Sequence, residues 1–195
     1  MITLASTSAS RAALLTAAGV AFAAEPPGVD EGAVKAGLLA EGARPREVAD
    51  ALAELKAVRV SARRPGLVVG SDTTLELDGM LHDKAASREQ AGERLLEMRG
   101  KTHALHSAVV VAEAGRPVWR EVKTARLTVR SFGDAFLERY MAEAGAALTT
   151  SVGGYWYEGL GVQLFSRVEG DHFTVLGMPL LGLLEFLRLR GELPA

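Results

Sequence analysis

Residues 67–70 read Leu-Val-Val-Gly, a run with no polar side chain on either face. A strand that is apolar on both faces must be covered on both, which ties it to a sheet carrying helices above and below. The segment just before it has helical spacing. Pro45 suits a first turn, and Val48, Leu52, Leu55 and Val58 recur along residues 45–62 until Arg63-Arg64-Pro65-Gly66 breaks the pattern. The opening alternates in the same way. Residues 2–6 read as a short strand, Ser8 caps a helix over 9–18 closed by Gly19, and 20–24 read as a second strand. Further on, residues 75–81 form a hairpin turning at Asp78-Gly79, and Ser87 caps a helix over 88–98. Two long strand-like runs, 102–112 and 118–129, meet near Gly115-Arg116-Pro117. A helix over 134–143, a glycine-rich loop over 153–161, a strand over 162–168 and an amphipathic helix over 180–190 complete the chain. Early alternation with antiparallel pairs in the middle predicts an α/β fold on a mixed sheet, and 195 residues suit one domain spanning 1–195.

The charge balance excludes several classes. With 22 Lys and Arg against 24 Asp and Glu, the chain lacks the cationic surplus a nucleic-acid binder uses to displace counterions, so no nucleic-acid partner is expected. The absence of cysteine removes disulfides, thiolate metal sites and a cysteine nucleophile. The longest apolar stretch, 175–187, is interrupted by Pro179 and Glu185 and falls short of the ~20 residues that span a bilayer. Ala21-Phe22-Ala23 has the look of a signal-peptidase site. No Lys or Arg precedes Arg11, however, and Arg11 falls where the apolar stretch of a leader belongs. A cytoplasmic protein without membrane partners is the expectation. No phosphate-binding Walker sequence and no nucleophile elbow is present, and His82, His103, His106 and His172 lack zinc spacing.

Two segments carry chemistry. In Val68-Val69-Gly70-Ser71-Asp72-Thr73, Asp72 follows the buried strand, where open α/β sheets place their ligands. It suits a divalent metal or a base toward water; the alternative is a turn residue capping a loop. Arg11, Lys56 and Lys84 are each ordinary surface charges when taken singly. Together with a helix N-terminus at a strand end they make a grip for a polyphosphate. Glu31, in a turn-rich loop, offers a second carboxylate, and Mg²⁺ takes one or two carboxylates plus phosphates and waters. The second segment, residues 153–161, combines glycines with Tyr155, Trp156, Tyr157 and Glu158. Aromatics stack on bases, and a carboxylate accepts the two N–H donors of guanine; the alternative is a tight turn with core aromatics.

Read in order, these segments resemble the Maf (septum-formation-inhibitor) family. Residues 4–15, Leu-Ala-Ser-Thr-Ser-Ala-Ser-Arg-Ala-Ala-Leu-Leu, are similar to its opening L-A-S-x-S-P-R-R-x-x-L-L. Val29-Asp30-Glu31, Lys56-Ala57, Gly70-Ser71-Asp72-Thr73, Lys84, residues 153–159 and the closing Gly170-Asp171 and Val175-Leu176-Gly177-Met178-Pro179-Leu180 match its later motifs over nearly the whole chain. The resemblance implies an inosine-triphosphatase-like fold: an elongated mixed sheet flanked by helices, with two lobes and a central cleft, often as a homodimer. It implies hydrolysis of a nucleoside triphosphate to monophosphate and pyrophosphate with Mg²⁺ or Mn²⁺. By the same resemblance Asp72 is the catalytic carboxylate, Glu31 and Asp72 hold the metal, and Ser6, Arg11, Lys56 and Lys84 bind phosphates. Ser10, Thr73 and Glu158 fall at positions tied to base choice. The branch signals diverge. Ala9-Ser10 replaces Pro-Arg or the Pro-Trp of the 7-methyl-GTP branch, Glu158 resembles that branch, and Thr73 resembles the dTTP/UTP branch. Glu158 favours guanine-like or modified purine bases. Two rival readings are a nucleotide-binding regulator of cell division without turnover and a phosphatase of monophosphates.

Overall fold

The computed structural model describes residues 1–194. It contains β1 (Ile2–Ala5), α1 (Ala9–Ala17), β2 (Phe22–Ala24), α2 (Glu31–Ala40), α3 (Pro45–Ser61), β3 (Val68–Leu77), β4 (Met80–His82) and α4 (Arg88–Met98). These are followed by β5 (Thr102–Glu113), β6 (Arg116–Val129), α5 (Asp134–Glu143), α6 (Ala147–Thr150), β7 (Phe165–Glu169), α7 (His172–Val175) and α8 (Leu180–Leu189). The strands form one mixed sheet in the order β2-β1-β3-β5-β6-β7, with β4 added to β3. β1 runs parallel to β2 and β3, whereas β4 pairs antiparallel with β3 and β7 with β6.

The chain folds as two compact units. The first comprises residues 1–73, 106–123 and the segment from His172 on; the second comprises 74–105 and 124–171. In the first unit the sheet is covered on both faces, as the apolar run at 67–70 requires. One face packs Leu4, Val69, Val109 and Val111 against Leu14 and Leu15 of α1 and Leu183 and Leu187 of α8. The other packs Ala108, Val110 and Ala112 of β5 against Ala49, Ala53 and Ala57 of α3. The alternation of β5 between the two cores follows from the two-residue period of a strand. Alanines at every fourth position of α3 let that helix lie close to the sheet. α2 differs from α3 in that none of its ten residues is buried.

The second unit holds an aromatic core. Tyr155 packs edge-on against Phe165 at 4.8 Å, and Phe136 stacks with Tyr140 at 6.1 Å. Tyr140 Oη donates to the Gly154 carbonyl at 3.0 Å, and the Ser151 hydroxyl bonds both the N–H and the carbonyl of Tyr155. These bonds pin the glycine-rich loop.

Several expectations change. β3 continues to Leu77, so Asp72 lies within a strand rather than beyond its end. The strand that ends there is β1, whose last pair with β3 is Ala5 with Gly70. Glu31 is the first residue of a helix, not part of a loop; Asp30 caps it by accepting the Ala33 N–H at 3.1 Å. The long hairpin turns at Ala114-Gly115, both with positive φ (49° and 77°), one step earlier than the Gly-Arg-Pro signal indicates. The strand expected over 162–168 is a 3-10 turn, Leu160–Leu164, followed by β7. Among the described residues no helix is long and apolar enough to cross a membrane.

Candidate active site

The site is built by β3 and the helices on its two faces. Because strand side chains alternate, Gly70 and Asp72 face α3 while Val69, Ser71 and Thr73 face the α1 side. Gly70 has no room for a side chain: a Cβ there would stand 2.2 Å from the Ala53 carbonyl oxygen and 2.6 Å from the Ala57 nitrogen. That close approach brings Lys56, next to Ala57, onto Asp72.

Lys56 Nζ donates to Asp72 Oδ1 at 2.7 Å and stands 2.8 Å from Glu31 Oε1. The Lys56 and Asp72 side chains are 5% and 6% exposed and that of Glu31 43%, so a buried ion pair is joined by a carboxylate that opens to solvent. Lys56 is therefore not on a polar, solvated helix face. It shares the sheet-facing side of α3 with Leu52 and Val60, one turn away on either side, and its charge is tolerated there because two carboxylates meet it. Asp72 Oδ2 is buried and accepts no hydrogen bond among the described residues. Burial alone raises the Glu31 pKa, but the hydrogen bond and charge of Lys56, helped by Lys35 and Arg11, outweigh it and hold the group below the ordinary carboxylate value. Glu31 is therefore ionised at neutral pH.

Arg11, on α1, is half-buried. Its Nε donates to the Gly177 carbonyl at 3.1 Å and its Nη2 to Thr73 Oγ1 at 3.2 Å. Burial lowers its pKa, and the charges of Asp72 and Glu31 oppose that shift; a guanidinium stays protonated throughout. Ser6 is buried just past β1, and its Oγ accepts the Ser8 N–H at 3.1 Å. Ser8 caps α1 as the sequence predicts, accepting the Arg11 N–H at 3.5 Å. Ser10 is exposed on the first turn of α1. The structure thus brings Glu31, Lys56, Asp72, Arg11 and Thr73 into one connected set of bonds and charges. Lys84 and Glu158 belong to the second unit, where both are exposed.

Glu31 and Asp72 are the two carboxylates that meet at Lys56. Among the described residues no group of three or more histidine, aspartate or glutamate side chains is arranged to hold a metal ion. Two carboxylates, one with a buried oxygen lacking any donor, fit Mg²⁺ or Mn²⁺, which complete their shells with waters and phosphates.

Sequence reasoning missed the groups behind Thr73. Ser71, Ser107 and Thr174 are fully buried, and all three, with the Gly177 carbonyl, form a polar cluster. Their only sequence signal is a pair of hydroxyls out of phase with Asp72 and a serine inside an apolar strand. In the second unit His103 Nε2 lies 2.7 Å from Tyr155 Oη, and burial lowers the His103 pKa to about 4.

An open mixed sheet flanked by helices, with charged side chains gathered beside the end of β1, defines an α/β protein, and sheets of this kind hold ligands beyond their strand ends. The family described as Maf-like protein matches residues 1–190, and the chain belongs to that family. It is 62% identical over 192 residues to a nucleoside triphosphate pyrophosphatase of Caulobacter vibrioides, covering 98% of this chain and 96% of the relative. Proteins of the same name from Paramagnetospirillum magneticum and Hyphomonas neptunium are 54% and 49% identical. These matches cover 97% and 99% of this chain and 98% of each relative.

Proposed function

We propose that this chain is a nucleoside triphosphate pyrophosphatase that hydrolyses its substrate to monophosphate and pyrophosphate, with Asp72 as the carboxylate that accepts the proton of the attacking water. The observation that carries the reading is the Lys56–Asp72 pair: Oδ1 is fixed by the lysine while Oδ2 is left without a donor. Near-full-length relatives bearing that enzyme name support the reaction class.

Lys56 holds Asp72 in one orientation, and the proton of the water goes to Oδ2 as its oxygen attacks the α-phosphorus. Arg11 sits close enough to Asp72 and Glu31 to feel their charge, which suits it to bind the triphosphate and stabilise the pyrophosphate that leaves. Exclusion of water around the buried pair strengthens each of these interactions. Glu31 and Asp72 would hold Mg²⁺ or Mn²⁺, which when bound neutralises charge on the phosphates. From the family resemblance, Ser6 and Lys84 add phosphate contacts and Ser10 and Glu158 bear on base choice. Glu158 accepts but does not donate, so guanine-like bases, including modified ones such as 7-methylguanine, suit it better than a pyrimidine carbonyl.

A product-resolved screen tests this reading. Each canonical nucleotide and 7-methyl-GTP is offered with Mg²⁺, with Mn²⁺ and with chelator, and pyrophosphate and orthophosphate are measured separately. The expected result is metal-dependent pyrophosphate release with purines ranked first. Orthophosphate release indicates a phosphatase instead, and binding without turnover by folded protein indicates a regulator.

A further inference from the structure

On the face of β3 opposite Asp72, four side chains and two carbonyls form a closed set. Ser71 Oγ donates to the Gly177 carbonyl at 3.1 Å. Thr73 Oγ1 lies 3.2 Å from the same carbonyl and 3.1 Å from Ser107 Oγ. Ser107 Oγ donates to the Thr174 carbonyl at 2.8 Å. Arg11 closes the set, with Nε on Gly177 and Nη2 on Thr73. A hydroxyl has one proton to give. That of Ser107 is engaged by Thr174, so Ser107 can only accept from Thr73. The Thr73 proton therefore goes to Ser107 or to the Gly177 carbonyl, and the lone pairs of Oγ1 receive Arg11. In this arrangement Thr73 has no proton to offer a base.

Gly177 makes the arrangement possible. Its φ of +101° lies in the region that favours glycine, and a Cβ there would stand 3.1 Å from Thr73 Oγ1. Two of the three guanidinium nitrogens of Arg11 are tied down, and Nη1, which makes no hydrogen bond within the described residues, is the one left for a phosphate oxygen.

We propose that Ser107 and Thr73 are positioning residues for Arg11, fixing its guanidinium for the phosphates, and that Thr73 acts on the triphosphate through Arg11 rather than on the base. This rests on the phosphate-binding role given to Arg11 above.

Inorganic tripolyphosphate, which has no base, separates the alternatives. Its affinity is measured by calorimetry, and kcat and KM are measured for a purine and a pyrimidine nucleotide, in the wild type and in Thr73→Val, Ser107→Ala and Thr73→Ser. Loss of one bond to a charged group predicts about tenfold weaker tripolyphosphate binding in Thr73→Val, and a smaller loss in Ser107→Ala, which keeps the Thr73–Arg11 bond but removes the hydroxyl that holds Thr73 Oγ1 in place. In each variant KM for both nucleotides should rise by the same factor, leaving the base ranking unchanged. Thr73→Ser, which keeps the hydroxyl, restores wild-type values and shows that the loss is not one of folding. In an Arg11→Ala background the Ser107→Ala effect disappears. Unchanged tripolyphosphate affinity, a loss that differs between bases, or an effect that persists without Arg11 overturns the proposal. A wild type that neither binds tripolyphosphate nor releases pyrophosphate overturns the functional reading beneath it.

Discussion

Gly70→Ala tests whether the close packing of β3 on α3 is what assembles the ion pair. The added methyl would stand 2.2 Å from the Ala53 carbonyl oxygen, 2.6 Å from the Ala57 nitrogen and 2.9 Å from Ala57 Cβ. Two of these neighbours are helix backbone and cannot rotate away. Restoring ordinary contact, at about 3.5 Å between non-bonded atoms, requires strand and helix to part by about 1 Å. Overpacking of this kind costs about 1–3 kcal/mol, and the rigid surroundings put this case near 3. For a domain of this size that lowers Tm by about 6–12 °C. The same movement pulls Lys56 from Asp72, now 2.7 Å apart, out of hydrogen-bond range. A displacement of 1 Å at a reacting group costs about 100-fold in rate, so kcat falls by that order with a smaller change in KM. Thermal melts followed by circular dichroism, and pyrophosphate release at a temperature where the variant is fully folded, read the two effects separately. An unchanged Tm refutes the packing argument. A lowered Tm with wild-type kcat leaves the packing intact but refutes its link to the site.

Three further outcomes are expected. Asp72→Asn keeps the shape of the side chain but not its basicity, and turnover should fall about 10²–10⁴-fold; wild-type kcat would remove Asp72 from proton transfer. Glu158→Gln gives the loop a donor, so pyrimidine nucleotides should gain relative to guanine nucleotides in a nucleotide panel, and an unchanged ranking would take Glu158 out of base selection. His103 is buried with a pKa near 4 against an ordinary 6.5, so unfolding takes up a proton between those values. Stability from this residue is therefore complete above about pH 6.5 and is lost as pH falls toward 4, by roughly 3 kcal/mol, and His103→Gln should flatten that part of a denaturation-versus-pH curve. Parallel curves for the two proteins would show that the histidine is not buried neutral.

The covering of the sheet on both faces was legible from residues 67–70, and the caps of α1 and α4 from Ser8 and Ser87, because these depend on local patterns. Lys56 taken singly reads as an ordinary surface charge because helical spacing counts apolar positions, and a lysine buried by two distant carboxylates breaks the count. Asp72 looked like a residue beyond a strand because Ser71, Asp72 and Thr73 are polar. They remain in β3 because each finds a tertiary partner: Lys56 for the aspartate, and the Gly177 carbonyl for both hydroxyls. The helix at 31–40 leaves little trace because none of its residues is fully buried and Val34 and Leu38 alone make a stripe too short to stand out.

That unburied helix divides the site by local stability. Lys56 and Asp72 are anchored in elements whose amides open only with the core, whereas Glu31 rides on ten residues held by few buried contacts. Amide hydrogen exchange in α2 should accordingly run ahead of that in α3 and β3. Each time α2 opens, Lys56 keeps one carboxylate and loses the other. Lys56 with α2 in place is neutralised twice over and with α2 open only once, so its reserve of positive charge for an incoming anion depends on a helix none of whose residues is buried.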